Sequence, residues 1–322
     1  MANCVAEQKR TGHAQSQQPR TSYCLFQEPW WLDAVAPEGW SEAVVSKGGL
    51  VTARMPYVIS RKYGLTTITR PSLTPTLGPW HLSKAGIKTT TRLRAEKDSV
   101  EALLSQLPHH HRCAINCDPA LANVLPFHWA GFKLSVRYTY RLPDLSDLDA
   151  VWKNFATNIR SDIRKAQKKV TVEHDLGSAA FMETYAKTFA RLGKRLPISL
   201  DFLSRLDQSL EKQERRRQFF AVDDQGRVHA SIYLVWDDRC AYYLLGGGDP
   251  ELRNSGATSL LVWAAIQYAA TVSQAFDFEG SMLEPVERFF RAFGSVQTPF
   301  YQAARIDNRM LRVAASLLGK VA

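Results

Sequence analysis

Cysteine is scarce in this chain and odd in number: Cys4, Cys24, Cys113, Cys117 and Cys240 are five scattered residues with no secretory signal before them. Such a set argues against a disulfide framework and for reduced thiols in the cytoplasm. Cys113 and Cys117 stand near His109, His110 and His111, but the spacing matches no zinc pattern. An alternating strand from Arg112 to Cys117 would bury small thiols without a metal, so none is expected. The N-terminal stretch, Met1 to Arg20, is polar and rich in Gln. It lacks the apolar core of a signal peptide and reads as a loose tail. Charge is absent from Asn254 to Phe276, a run long enough to cross a bilayer. Thr258, Ser259, Gln267, Thr271, Ser273 and Gln274 dilute it, and a strand pattern follows at once. A buried helix of a soluble domain is expected there, and no membrane span.

What is present is the composition of a globular protein: 322 residues, 45% hydrophobic and 22% charged, enough for about two domains. The formal charge of +10 is informative only where it clusters. Arg160, Arg164, Lys165, Lys168 and Lys169 form the densest patch, interrupted by Asp162. Such a patch suits phosphates, on a coenzyme, a nucleotide-linked substrate or RNA, or it is a solvated helix face.

An internal repeat organises the chain. Val45 to Ala53 aligns with Val222 to Ala230, with Val, Gly, Val and Ala coinciding; each copy reads as strand, tight Gly turn, strand. Each continues through an apolar run (Met55 to Ser60; Ile232 to Trp236) into a third strand. The third strands end in turn residues, Arg70-Pro71-Ser72 and Gly246-Gly247-Gly248. Both halves then give a helix, a short strand (Cys113 to Cys117; Ala275 to Glu279), a helix and a last strand. A polar connector from Pro143 to Asp149 marks the boundary. The expected division is a tail at residues 1–20, one domain at 21–146 and a second at 147–322.

The second half predicts one amphipathic helix over Leu148 to Lys169, with Arg160, Arg164 and Lys168 sharing a face at four-residue spacing. A strand at Val170 to Glu173 follows, then helices near Ser178 to Leu192 and Ser199 to Glu211. Three strands come next (Gln218 to Val222, Val228 to Trp236, Cys240 to Leu245) and a buried helix from Gly256. A strand ending at Glu279, a helix at Glu284 to Ala292 and a strand at Pro299 to Arg305 close the chain. The fold class is α/β (α+β), with mixed central sheets flanked by helices.

Three segments carry candidate chemistry. Arg253-Asn254-Ser255-Gly256-Ala257-Thr258 lies between a strand and the buried helix. Small residues at a helix start let backbone N–H groups approach a pyrophosphate, and Arg253 would add charge-assisted hydrogen bonds. An ordinary capped loop is the plainer reading. Leu245 and Gly246 end the preceding strand, where three glycines also permit a flexible turn. In Phe276-Asp277-Phe278-Glu279-Gly280-Ser281, alternation puts Asp277 and Glu279 on one face. Two carboxylates at a strand end could deprotonate an attacking amine. Glu279, nearer the end, is the favoured base; the alternative is a helix cap or an ion pair with Arg288 or Arg291.

The element order and these motifs resemble the GNAT acyltransferases, and Phe276 to Gly294 with the Arg160 to Ala166 helix resembles their Fem-type branch. That branch includes peptidoglycan-bridge aminoacyltransferases and acyl-CoA-using relatives. The resemblance runs from about Tyr23 to Arg305 and is strongest in the second half. It implies two tandem GNAT-like domains, the first degenerate, with the acceptor in the cleft between them. It assigns Arg253 to Thr258 to the donor loop, although Thr258 stands where Gly or Ala is usual. It implies that the donor's acyl arm lies beside the strand ending at Leu245 and Gly246, where a backbone N–H can stabilise an oxyanion. Arg160, Arg164 and Lys168 would lie near the acceptor or the donor phosphates. Asp118-Pro119 matches an Asp-Pro that faces the cleft, though a turn initiator reads equally well. The coiled-coil arm that some members insert is missing, since no heptad run occurs. The expected activity is transfer from acyl-CoA to an amine, on a small-molecule or peptide acceptor. An aminoacyl-tRNA donor is the alternative, and a non-catalytic binding module the reading from another class.

Overall fold

The two strand–turn–strand units form because each carries glycine where the chain must reverse. In the computed structural model, which describes residues 20–82, 86–280 and 282–308, β1 (Ser41–Lys47) and β2 (Leu50–Lys62) are joined through Gly48 and Gly49, with φ of 59° and 78°. Positive φ at both positions suits the twist of a tight hairpin. In the second copy, β8 (Arg216–Val222) and β9 (Val228–Trp236) flank Gly226. There the Asp223 carboxylate accepts the N–H groups of Gln225 and Arg227 and ties the turn. The third strands are β3 (Leu65–Thr69) and β10 (Cys240–Gly248). A two-residue β4 (Trp80–His81) pairs with β2.

A crossover helix follows each third strand, α2 (Thr89–Ser105) in the first half and α8 (Ala257–Val272) in the second. Each leads to a short strand parallel to the third one: β5 (Arg112–Asn116) beside β3, and β11 (Ala275–Asp277) beside β10. The last elements are α3 (Leu125–Trp129) with β6 (Lys133–Leu142), and α9 (Glu284–Arg291) with β12 (Val296–Ile306). The remaining helices are α1 (Pro29–Val35), α4 (Leu148–Asn154), α5 (Thr157–Ala166), α6 (Ser178–Arg191) and α7 (Leu200–Lys212), and β7 (Thr171–His174) is the outermost strand of the second half.

Among the described residues these strands form one sheet, in the order β1-β2-β3-β5-β12-β6-β11-β10-β9-β8-β7. The two halves exchange their last strands. β12 lies between β5 and β6, antiparallel to both, and β6 pairs with β11. The expected pair of sheets is therefore a single continuous one. On one face of its second half, α4, α5, α8 and α9 bury Phe155, Ile159, Ile163, Leu261 and Phe293. On the other, α1, α6 and α7 cover Phe181, Leu206, Phe220 and Tyr233.

Three expectations need correction. The helix foreseen from Leu148 to Lys169 is two helices, α4 and α5, broken at Phe155 and Ala156. The buried residues Val151, Phe155, Ile159 and Ile163 recur every four positions. Each step turns about 400°, so in one straight helix the apolar stripe would drift about 40° per step. The break resets it: Phe155 turns into the core against Trp263 and Phe293, and the Ala156 N–H bonds Ala292. Since α5 ends at Ala166, Lys168 lies beyond the helix rather than on its face. The Gly246 to Gly248 run is strand, not turn. Finally, Arg20, placed in the tail, is held by Asp237 at 2.9 Å, while the rest of that tail and Ser281 lie outside the described residues.

Candidate active site

β10 and β11 pair for only three residues, Cys240 to Tyr242 against Ala275 to Asp277. Beyond that point β10 stays with β9 as far as Gly248, while the other chain turns away and follows β6 through the Phe278 N–H on Tyr140. A gap opens between them. A bulge in β10 leaves Leu244 with no facing residue on β9, and bulges re-aim backbone and side chains beside sites of this kind. Tyr242 and Tyr243 are consecutive and point to opposite faces. Each lines a different cavity, so the gap lies between two sites.

On the Tyr242 face is an acidic cleft of about 370 Å³ that gathers Asp118, Asp277 and Glu279. Asp118 follows β5, and its carboxylate accepts the Ala120 N–H at 2.9 Å, so the turn role and the place in the cleft coexist. Burial raises its pKa above the usual carboxylate range, opposed by that N–H and by Arg141. Asp277 ends β11. It lies 3.2 Å from Arg141 Nε, accepts the Thr139 hydroxyl, and accepts the Glu279 N–H at 2.8 Å. Burial raises its pKa, and Arg141, Thr139 and the Glu279 N–H oppose the rise.

Glu279 does not sit on a strand as alternation predicts. Its φ is 59°, in the left-handed region that a non-glycine residue rarely adopts. The Asp277 carboxylate holds this turn through the Glu279 N–H, and Gly280 follows at φ 50° against β6. A Cβ on Gly280 would lie 2.4 Å from the Tyr138 carbonyl, so only glycine lets the chain pass there. The result still brings Glu279 into the cleft beside Asp277, by a strained turn instead of a shared face. Among the described residues its carboxylate has no ion pair within 4.0 Å. Burial, then the charge of Asp277, pushes its pKa well above the ordinary glutamate value, and Arg141 and Arg70 only partly offset this. It neither caps α9, whose N-cap is Leu283, nor pairs with Arg291, which holds Glu287.

On the Tyr243 face, a groove of about 680 Å³ runs along Gly246 to Gly248 to the start of α8. Arg253, Ser255, Ala257 and Thr258 line it, with Gly246; Leu245, Asn254 and Gly256 do not. The small residues serve packing first. A Cβ on Gly247 would lie 2.7 Å from the Tyr185 backbone of α6, and the phenol of Tyr243 occupies the space over Gly246. Gly256 has φ 84°, and a Cβ there would lie 2.3 Å from the Asp162 carbonyl of α5. Its smallness thus fits the α5 backbone, a packing reason that the sequence did not reveal. Arg160 and Arg164 lie on the helix packed at this loop, but with Lys168 they line neither cavity; Arg164 stands 6.0 Å over Trp152.

The sequence reading missed Arg141 and Thr139 of β6, Tyr242 of β10 and Phe26, all in the acidic cleft, and Thr188, Arg191 and His229 in the groove. Arg141 alone left a signal, as a charge in an otherwise apolar strand end. No group of three or more His, Cys, Asp or Glu able to hold a metal occurs among the described residues. No helix there is long and apolar enough to cross a membrane.

Residues 153–284 match the family model described as Acetyltransferase (GNAT) domain. Among solved structures the chain is similar to that of FemX, at 15% identity and a TM-score of 0.65, covering 86% of this chain and 91% of that one. It is similar to L-PGS from Bacillus licheniformis, at 12% identity and a TM-score of 0.56, covering 91% and 96%. The C-terminal domain of a putative lysylphosphatidylglycerol synthetase from Agrobacterium fabrum gives 14% and 0.55, covering 91% and 92%. No curated protein matches the chain.

Proposed function

We propose that this chain, an acyltransferase built on the GNAT fold, transfers an acyl group from acyl-CoA to an amine, forming an amide. The observation that supports this most is the gap between β10 and β11, with a groove ending at a helix start on one face and a carboxylate cluster on the other. The first turn of α8 leaves backbone N–H groups without intrahelical acceptors, and Arg253 adds a cation, so a donor pyrophosphate has partners there. An acyl arm running along β10 would reach the gap beside Tyr243, where the bulge at Leu244 frees a backbone N–H for the developing oxyanion.

The acceptor amine enters from the acidic cleft. Glu279, its pKa raised toward the working range of a general base, takes the amine proton as nitrogen attacks the thioester carbon. The C–S bond then breaks and the thiolate leaves with the coenzyme. Asp277 orients Glu279 through its N–H and keeps Arg141 in place, and Asp118 closes the other side. Arg160 and Arg164 on α5, with Lys168 just after it, add positive potential near the donor loop.

Native mass spectrometry after incubation with acyl-CoAs, and separately with charged tRNA, tests the donor. One coenzyme per chain, with thiol release on adding amines, is the expected result. Binding of aminoacyl-tRNA alone would give the second reading, a Fem-like aminoacyltransferase on a peptide or cell-wall precursor, which the net charge of +10 favours. Binding without transfer under either donor would leave a ligand-binding module.

A further inference from the structure

Next to the acidic cleft lies a second cavity, of about 640 Å³, whose lining carries no carboxylate. Arg70 and Arg112 face it, with Ser72, Asn116 and Gln302. Arg137 stands behind, donating to the Gln302 amide oxygen at 3.4 Å. Arg70 and Arg112 are exposed and Arg137 is half-buried, and among the described residues none of the three lies within 4.0 Å of a carboxylate. Arg70 donates to the Thr74 carbonyl at 2.9 Å. Loss of solvation at its guanidinium and the like charge of Arg137 hold Arg70 below its ordinary value, and the charge of Glu279 opposes the fall. Glu279 offsets the charge of Arg70 from beyond ion-pair distance, and the donors of the cluster are hydroxyl, amide and guanidinium groups.

The two cavities share one face of the sheet. Phe300 of β12 lines the cleft and Gln302, two residues on, lines the basic cavity; Asn116 and Asp118 repeat the relation at the end of β5. Two residues along a strand span about 7 Å. The segment from Arg70 to Thr76 forms a common wall, fixed by the Asn116 amide on the Pro75 carbonyl at 2.9 Å and by Gln302 on Asn116 at 2.8 Å.

From this arrangement we infer that the acceptor is an amine that also carries an anionic group, a carboxylate or a phosphate, seated among Arg70, Arg112 and Arg137 while the amine meets Glu279. The inference rests on the acyl transfer proposed above. It predicts that the basic cavity sets KM and not the rate of the chemical step, because the anion is bound equally in ground and transition states.

Thiol release from acetyl-CoA is measured with matched pairs: pentylamine against 5-aminopentanoate, and 4-aminobutanol against its phosphate monoester. Each anionic amine should have kcat/KM at least tenfold above its neutral partner. Arg137→Gln should remove about tenfold of that preference through KM, the size expected for one charge-assisted hydrogen bond, with kcat kept. Arg70→Gln should remove a similar share through KM and also change kcat, because Arg70 partly offsets the charge at Glu279. The carboxylate and phosphate arms tell the two anions apart. Calorimetric titration with the same four compounds, which needs no donor, separates the two claims. Selective binding of an anionic amine without thiol release keeps the anion subsite and overturns the acyl transfer. Equal use, or equal binding, of neutral and anionic amines overturns the subsite. So does a preference that survives in both variants. Since Arg70 also braces the 70–76 segment, a fall confined to Arg70→Gln with a lowered melting temperature, and none in Arg137→Gln, likewise overturns it.

Discussion

Glu279 unites a left-handed backbone, partial burial and a carboxyl that has no ion pair among the described residues. Its left-handed backbone costs on the order of 1–2 kcal/mol, and its raised pKa means that the fold prefers it neutral. A base must be ionised to accept a proton, so turnover should rise with pH through an apparent pKa above the ordinary glutamate value of about 4.3. Glu279→Gln should lose that limb and about 10²–10⁴-fold in rate. Stability should move the other way. A carboxyl with a raised folded pKa withdraws stability as pH climbs from its unfolded value through its folded one. The Gln variant should therefore melt with the parent near pH 4 and above it at neutral pH. A normal rate profile would move the base to Asp277 or Asp118; a lower melting temperature at neutral pH would make the carboxylate structural.

At the scale of elements, the start of α8 separates two meanings of smallness. Gly256 was legible as a residue that must be small, but not why, because the Asp162 carbonyl that fills the space comes from a helix some 90 residues earlier in the chain. Gly256→Ala should cost about 2–4 kcal/mol from the left-handed backbone and the clash together, read as a lower melting temperature. It is thus a poor probe of donor binding. Thr258 is a better one, since it lines the groove in the first turn of α8. Thr258→Glu puts a negative charge where the helix dipole favours it, so the melting temperature should hold or rise slightly. Affinity for coenzyme A should fall at least tenfold by calorimetry, through repulsion of the phosphates. Unchanged affinity would move the donor away from this helix. The break between α4 and α5 taught a related lesson: the four-residue recurrence from Val151 to Ile163 was visible, but a recurrence that drifts off one helix face signals a break and not a longer helix.

For the whole molecule, the strand exchange makes the proposed division at 146/147 a boundary of sequence more than of folding. Without β12, residues 21–146 leave β5 and β6 with no strand between them; without β6, residues 147–308 leave β11 and β12 unpaired on that side. The intact chain should unfold in a single cooperative transition by circular dichroism. Either fragment alone should show none, and mixing the two should restore it. A sharp transition from a lone fragment would show the halves to be independent.

The sequence alone determined the things that depend on near neighbours. Glycine turns, apolar periods and the repeated order of strands and helices are local properties; with the resemblance to the GNAT acyltransferases they pointed to that fold, to the start of α8 and to Asp118, Asp277 and Glu279 as candidates. Only the tertiary structure decided how those pieces meet. Strand exchange brings Thr139 and Arg141 from one half onto Asp277 of the other, 138 residues apart for Thr139. The turn that swings Glu279 into the cleft is set by a carboxylate two residues back and by the backbone of β6. The basic cavity draws Arg70 from just beyond β3, Arg112 from β5 and Gln302 from β12, and it follows from register across a sheet, which no local pattern encodes.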